Sequence, residues 1–162
     1  MKLTLWSWNV NGLRAVLKKD FIDTIKRANV DILGIQETKL QEHQIPEELV
    51  ELSEYNVFWS HAQRKGYSGT ALFSKPKLLG FETVFGVEEF DTEGRINIAE
   101  YEHFILFNIY FPNGGQGDER LAYKLRFYDK ALEVMQAKRA MGKAVLVAGD
   151  FNTAHKEIDL AR

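Results

Sequence analysis

Two hydrophobic periods share this chain of 162 residues. Apolar runs of strand length open it: Lys2–Val10, dense in Leu and Trp, and Asp31–Gln36, a short run that reads as a buried strand. Between them Phe21, Ile22, Ile25 and Ala28 fall on one face of a helix predicted over Val16–Ala28. Tyr55–Ser60 and Gly69–Ser74 read as strands flanking the loop His61–Ser68. Phe81–Phe85, Arg95–Tyr101 and Phe104–Phe111 read as a meander, with Asp91-Thr92-Glu93-Gly94 as a turn. Asp118 is placed to cap a long helix over Glu119–Met141, where Leu121, Leu125, Tyr128, Leu132 and Met135 follow the spacing of one apolar stripe and Gly142 provides the stop. A last apolar strand, Ala144–Ala148, follows. Strand–helix–strand, then several strands, then helix–strand is the order of an α/β fold with a mixed sheet and helices packed on a face.

Polar residues interrupt this pattern where strands end. The last strand runs into Gly149-Asp150-Phe151-Asn152, the first into Trp8-Asn9-Val10-Asn11-Gly12, and the second into Gln36-Glu37-Thr38-Lys39. A carboxylate at the mouth of a buried strand needs a partner. For Glu37 a hard divalent cation is one, and a salt bridge to Lys39 or a helix cap is another. Asn9 and Asn11 lie two apart, so both face one way if the strand persists; Asn-Gly is also a turn signal. Asp150 and Asn152 repeat the spacing, and Asp150 there can serve as general base, as metal ligand or as part of a turn. Tyr110 shares a face with Asn108 at the end of its strand, as a phosphoryl donor or as a half-buried core residue.

Composition changes the picture in three ways. With 45% apolar and 27% charged residues the chain can fill one globular domain. A net charge of −2 gives no overall basic field, so nucleic-acid binding would need a local patch. Arg14, Lys18 and Lys19, then Arg64 and Lys65 with Tyr67, then Arg95 are candidates for one, against the reading of an ordinary solvated surface. The absence of cysteine excludes disulfides and thiolate metal sites. The histidines at 43, 61, 103 and 155 lack metal-ligand spacing, and His155 is expected to be structural. Leu3 to Val10 is broken by Thr4, Ser7 and Asn9 and does not read as a signal peptide; no membrane segment is expected, and a cytoplasmic location is.

Taken together, the motifs resemble the exonuclease III family of apurinic/apyrimidinic endonucleases. Trp8-Asn9-Val10-Asn11-Gly12-Leu13-Arg14-Ala15, Asp31-Ile32-Leu33-Gly34-Ile35-Gln36-Glu37-Thr38-Lys39, Tyr67-Ser68-Gly69, Glu93-Gly94-Arg95, Tyr110-Phe111-Pro112-Asn113 and Gly149-Asp150-Phe151-Asn152 occur in the family's order and at fitting spacings. The resemblance implies a four-layer α/β sandwich of DNase I-like type. It implies hydrolysis of DNA with Mg²⁺, or Mn²⁺ in its place, on the 5′ side of an abasic site, often with removal of nucleotides from 3′ ends. The implied partner is double-stranded DNA carrying an abasic site or a 3′ end. On this analogy Glu37 is a metal ligand, Asn9 and Asn11 hold the metal shell and the catalytic Asp, Asp150 activates water, and Asn152 and Tyr110 orient the phosphate, with Asn9, Tyr110, Asp150 and Asn152 as the catalytic residues. Arg14, Lys19, Tyr67, Arg95 and Asn113 would contact DNA.

The resemblance stops at Arg162. The family's later motifs, an Asp and a Ser-Asp-His, have no match in these residues. Residues 1–162 are therefore expected to be the N-terminal part of one domain, with the second sheet largely missing. Such a chain is expected to cleave DNA weakly or not at all unless the C-terminal half is supplied. Two other functions fit the same lip residues: a phosphodiesterase of the same fold with an RNA or lipid substrate, and a non-catalytic DNA-binding fragment.

Overall fold

The computed structural model describes residues 2–50, 52–115 and 117–159; Met1 and Arg162, the limits of the expected domain, lie outside them. Eight strands form two sheets. The first contains β1 (Leu5–Asn9), β2 (Ile32–Gln36), β3 (Asn56–Ser60) and β4 (Thr70–Ser74) in the order β1-β2-β4-β3. The second contains β5 (Gly80–Glu82), β6 (Ile96–Glu100), β7 (Phe104–Tyr110) and β8 (Ala144–Asp150) in sequential order. The pairs β1–β2 and β7–β8 are parallel and the rest antiparallel.

Both sheets are thus present with four strands each, which corrects the expectation that the second would be largely missing. The meander does not widen the first sheet. Leu106 on β7 and Ala99 on β6 pack with Ile32 and Leu72 between the sheets, so the inner face of the first sheet is covered. On the outer side of the first sheet, α1 (Leu13–Leu17) and α2 (Phe21–Arg27) bury Leu13, Phe21 and Ile25 against Leu33, Ile35 and Phe73. On the outer side of the second sheet, α5 (Asp118–Ala140) buries Phe127 and Ala131 against Phe107, Ile109 and Phe111. The four layers implied by the resemblance are all there. Each fully buried large apolar side chain contributes about 1.5–3 kcal/mol.

Three local readings change. The helix predicted over Val16–Ala28 is two helices, broken where Asp20 takes a left-handed φ of 58°; Lys18, Lys19 and Asp20 have no apolar side chain to hold a turn on the core. Only Gly80–Glu82 of the Phe81–Phe85 region pairs as a strand. The chain then enters α4 (Glu88–Asp91), which inserts Phe90 beneath α5. The expected turn residue Asp91 ends that helix and accepts from the N–H groups of Phe85 and Val87 at 2.7 and 2.8 Å. On α5 the N-cap is Gly117 rather than Asp118. The expected stripe also faces the wrong way in part: Leu121, Leu125 and Leu132 are exposed, while Tyr123, Phe127 and Ala131 meet the sheet. The aromatic wall of Phe85, Phe90 and Phe111 selects Phe127, which lies within 5.8 Å of each ring centroid. A short helix, α3 (Glu47–Val50), lies where no element was predicted.

The sheets are pinned by a buried polar seam near the mouth. Gln36 Nε2 on β2 donates to Asn108 Oδ1 on β7 at 2.6 Å, and Asn108 Nδ2 donates to Asn97 Oδ1 on β6 at 2.8 Å. Gly34 makes room for this contact, since a Cβ there would lie 2.6 Å from Asn108 Oδ1. Among the described residues no helix is long and apolar enough to cross a membrane.

Candidate active site

Four strands deliver their C-terminal ends to one lip. Asn9 closes β1, Glu37 follows β2, Tyr110 closes β7 and Asp150 closes β8. Parallel pairing explains the placement. In β1–β2 Asn9 is level with Gln36, and in β7–β8 Tyr110 is level with Asp150, two residues past Asn108, so the strands present polar groups across the gap at the mouth end of the Gln36–Asn108 seam.

Asn9 is the bridge. Its Nδ2 donates one hydrogen to Glu37 Oε1 at 2.9 Å and the other to Asp150 Oδ2 at 2.7 Å, while its Oδ1 accepts the Asn11 N–H at 3.0 Å. Every polar atom of the carboxamide is committed, and the two carboxylates fix which way it points. Tyr110 donates its phenol hydrogen to the same Glu37 Oε1 at 2.8 Å, and Lys39 Nζ lies 3.1 Å from Glu37 Oε2. The salt bridge weighed as the alternative for Glu37 therefore exists beside the bridge to Asp150. Asp150 Oδ1 accepts the Asn152 N–H at 2.9 Å, and Asn152 Nδ2 donates to the Phe111 carbonyl at 2.8 Å.

These contacts set protonation. Burial alone would raise the Glu37 carboxyl, but donors from Asn9, Tyr110 and Lys39 outweigh it and hold the group below the ordinary carboxylate value. Burial, and then the Glu37 carboxylate beside it, push the Tyr110 phenol well above its usual range. Glu37 is the anion and Tyr110 the neutral donor. The backbone is strained at the same place: Asn11, Glu37, Lys39 and Asn152 all have φ between 45° and 57°. For Glu and Lys this conformation costs on the order of 1–2 kcal/mol, and such strain gathers at functional sites.

The donor set suits Mg²⁺ or Mn²⁺. Among the described residues no group of three or more His, Asp or Glu side chains converges. Glu37 and Asp150 carry hard carboxylate oxygens of the kind Mg²⁺ takes, but Asn9, expected in the metal shell, turns its Nδ2 donor to them and its Oδ1 to the Asn11 N–H, so it offers no oxygen there.

Not every expected residue joins this centre. The strand ends at Asn9, so alternation lapses, and the Oδ1 of exposed Asn11 accepts from Lys39 Nζ at 2.5 Å instead of facing the carboxylates. Arg95, expected to grip DNA, is 2% exposed. Its Nε donates to Glu93 at 2.5 Å, Nη1 to the Tyr110 carbonyl at 3.0 Å and Nη2 to Tyr67 OH at 2.9 Å, which leaves it a support for the two tyrosines. Arg14 and Lys19 are exposed on and beside α1, and exposed Asn113 caps its own loop through the Gly115 N–H at 2.8 Å. His155 is exposed beyond β8 rather than built into the structure. Glu93 stands in the Glu93-Gly94-Arg95 motif, but Arg120 and Lys124 carry no signal in the sequence, because charged residues at helical spacing look like solvated surface.

The sequence profile of the Endonuclease/Exonuclease/phosphatase family matches residues 6–162. The chain belongs to this family. Among Endonuclease/Exonuclease/phosphatase relatives, an exodeoxyribonuclease of Bacillus subtilis (strain 168) is 43% identical over 159 residues, covering 98% of this chain and 62% of that protein. The DNA repair nuclease APEX1 of Danio rerio is 39% identical over 162 residues, covering 99% of this chain and 51% of that one. An AP endonuclease structure from Archaeoglobus fulgidus superposes with a TM-score of 0.86 at 27% identity, over 99% of this chain and 62% of its own. The chain thus spans about three-fifths of the length of these two larger matches. Within this family member, the described lip is complete for β1, β2, β7 and β8, while among the described residues no strand pairs the outer edge of β8.

Proposed function

We propose that these residues form the cation-binding and water-activating part of a DNA-repair phosphodiesterase. Its bond of choice is the phosphodiester on the 5′ side of an abasic site, with nucleotide removal from 3′ ends as a second activity of the same site. The observation that carries this reading is the joining of Glu37 and Asp150 through the one carboxamide of Asn9, with Tyr110 donating to Glu37. The likeness to proteins named exodeoxyribonuclease and DNA repair nuclease supports DNA as substrate over RNA or lipid.

Glu37 would hold Mg²⁺, with Asp150 beside it. When bound, Mg²⁺ supplies neutralisation of the negative charge that grows on the phosphoryl oxygens. Asp150, oriented by Asn9 and by the Asn152 N–H, takes the proton of the attacking water as its oxygen bonds to phosphorus. The bond from phosphorus to the upstream 3′ oxygen breaks, and that oxygen leaves with the bonding pair and takes a proton from solvent to become the 3′ hydroxyl. The Asn152 carboxamide donates to the phosphate with the Nδ2 hydrogen it does not give to Phe111, and Tyr110, kept protonated, would turn its single O–H from Glu37 to the phosphate once Glu37 is neutralised; one such donor is worth about 3–4 kcal/mol. Arg14, Lys19, Tyr67 and Asn113 contact the backbone around it. An abasic sugar has no base to unstack, so drawing it to the lip costs less than extruding an intact nucleotide.

The test is a binding and nicking assay on abasic and intact duplexes, with Mg²⁺ or with EDTA. Lesion- and metal-dependent binding with slow nicking by these 162 residues is expected. Equal handling of intact and abasic duplexes, or behaviour indifferent to EDTA, overturns the reading.

A further inference from the structure

Strand ends supply the chemistry at the lip, yet α5 reaches toward it twice. Arg120 and Lys124 lie one turn apart on the helix and project to the same side. Arg120 donates to both oxygens of Glu93, at 3.0 and 2.9 Å, and to Tyr67 OH at 3.1 Å. Arg95 meets the same two residues and continues to Tyr110, whose ring centroid is 4.6 Å from the guanidinium carbon. The second reach is shorter. Lys124 Nζ donates to the Asn152 carbonyl at 2.7 Å, and the Asn152 N–H holds Asp150. One turn further, Tyr128 OH donates to the Phe151 carbonyl and lies 3.1 Å from Thr153 Oγ1.

The second tether matters because of where β8 lies. Among the described residues no strand pairs its outer edge, and its register to β7 ends at Asp150. The loop that carries Asp150 and Asn152 is therefore held by β7 on one side and by α5. Fixing an Arg and a Lys costs side-chain entropy, which two solvated surface cations would not pay.

We propose that Arg120 and Lys124 are positioning residues: Arg120 acts through Glu93 and Arg95 on Tyr110, and Lys124 acts through Asn152 on Asp150. The helix sets the spacing between the donor that faces Glu37 and the carboxylate that faces it. Removing either tether loosens the Glu37–Asn9–Asp150 bridge while leaving the helix and its packed face intact. This inference rests on the phosphodiesterase reading for the identity of the ligand, not for the tethers.

The experiment compares the parent chain with Arg120→Gln, Lys124→Met, Lys124→Arg and, as control on the same helix, Lys130→Met. The side-chain amide resonances of Asn9 and Asn152 are followed by NMR, and Mn²⁺ affinity by electron paramagnetic resonance. Arg120→Gln and Lys124→Met are expected to shift or broaden the Asn9 resonance and to weaken Mn²⁺ binding roughly tenfold, the scale typical of groups that orient a ligand. Lys124→Arg should restore both, and Lys130→Met should change neither. If the Asn9 and Asn152 resonances of Arg120→Gln and Lys124→Met match those of the parent, the positioning role is overturned. A parent chain that binds no Mn²⁺ counts against the phosphodiesterase reading, and the resonances then decide the positioning role by themselves. Loss of global folding in Lys124→Met is diagnosed by the resonances of β2, and partial restoration by Lys124→Arg then carries the comparison.

Discussion

The phenol of Tyr110, on the second sheet, donates to the carboxylate of Glu37, on the first, at 2.8 Å. The bond spans the sandwich at its mouth and sets the charge of the site. Burial raises the Glu37 carboxyl, and the donors, Tyr110 among them, more than offset it. Removing the phenol in Tyr110→Phe should let the carboxyl titrate at higher pH. Divalent-cation binding requires the anion, so the pH at which Mn²⁺ binding is half lost should move upward in Tyr110→Phe. A Mn²⁺ titration repeated across the acidic range measures it.

Asn9 separates two carboxylates that would otherwise face one another. Asn9→Asp replaces the donor by a third negative charge. Without metal the variant should be less stable than the parent by on the order of 1–2 kcal/mol, from like-charge repulsion and lost hydrogen bonds. A cation that binds only the folded state offsets this, so Mn²⁺ should raise the melting temperature of Asn9→Asp more than that of the parent. Thermal melts with and without Mn²⁺ give the comparison.

Glu93 lies between two guanidiniums, at 2.5 Å from Arg95 Nε and 2.9 Å from Arg120 Nη2. Burial would raise its carboxyl, yet Arg120 and Arg95 hold it below the ordinary value. A carboxyl lowered on folding contributes stability that is complete above its unfolded value and is lost as pH falls through the folded one. Glu93→Gln leaves buried Arg95 without its counter-charge and should cost on the order of 3 kcal/mol at neutral pH. The deficit should shrink as pH falls into the acid range. Denaturant unfolding of both proteins at several pH values checks the sign.

Gly149 takes a φ of 137°, and a Cβ there would sit 1.9 Å from the Ile109 carbonyl oxygen. The displaced group is backbone, so β8 must move. Gly149→Ala should separate β8 from β7 at its C-terminal end and carry Asp150 away from Asn9. Loss of amide protection at Phe111, whose N–H donates to the Asp150 carbonyl at 2.9 Å, is the expected signature in hydrogen exchange.

Much of this arrangement was legible in the sequence, and for a common reason. Apolar runs that end in Asn9, Glu37, Tyr110 and Asp150 betray strands whose last residues leave the core, and those four do meet. What failed was whatever depends on a third dimension. Arg95 shows its charge in the sequence but not that it is buried. The stripe of Leu121, Leu125 and Leu132 has helical period, yet period does not say which face meets Phe107 and Phe111; these leucines stay exposed, as do Leu146 and Val147 of β8. The split of the first helix comes at left-handed Asp20, and although Asp tolerates that conformation it signals a break far less strongly than Gly does. Two sheets rather than one widened sheet could not be read from strand order alone, because Leu106 and Asn108 look the same whether they face a sheet or a helix.

The central claim is that one divalent cation is held at Glu37, within the field of the Asp150 carboxylate beside it. Electron paramagnetic resonance of Mn²⁺ titrated into the parent chain, Glu37→Gln and Asp150→Asn tests it directly. The account predicts one saturable site in the parent and its loss or severe weakening in both variants. Equal Mn²⁺ binding by all three proteins, or loss in only one variant with full affinity in the other, would contradict it.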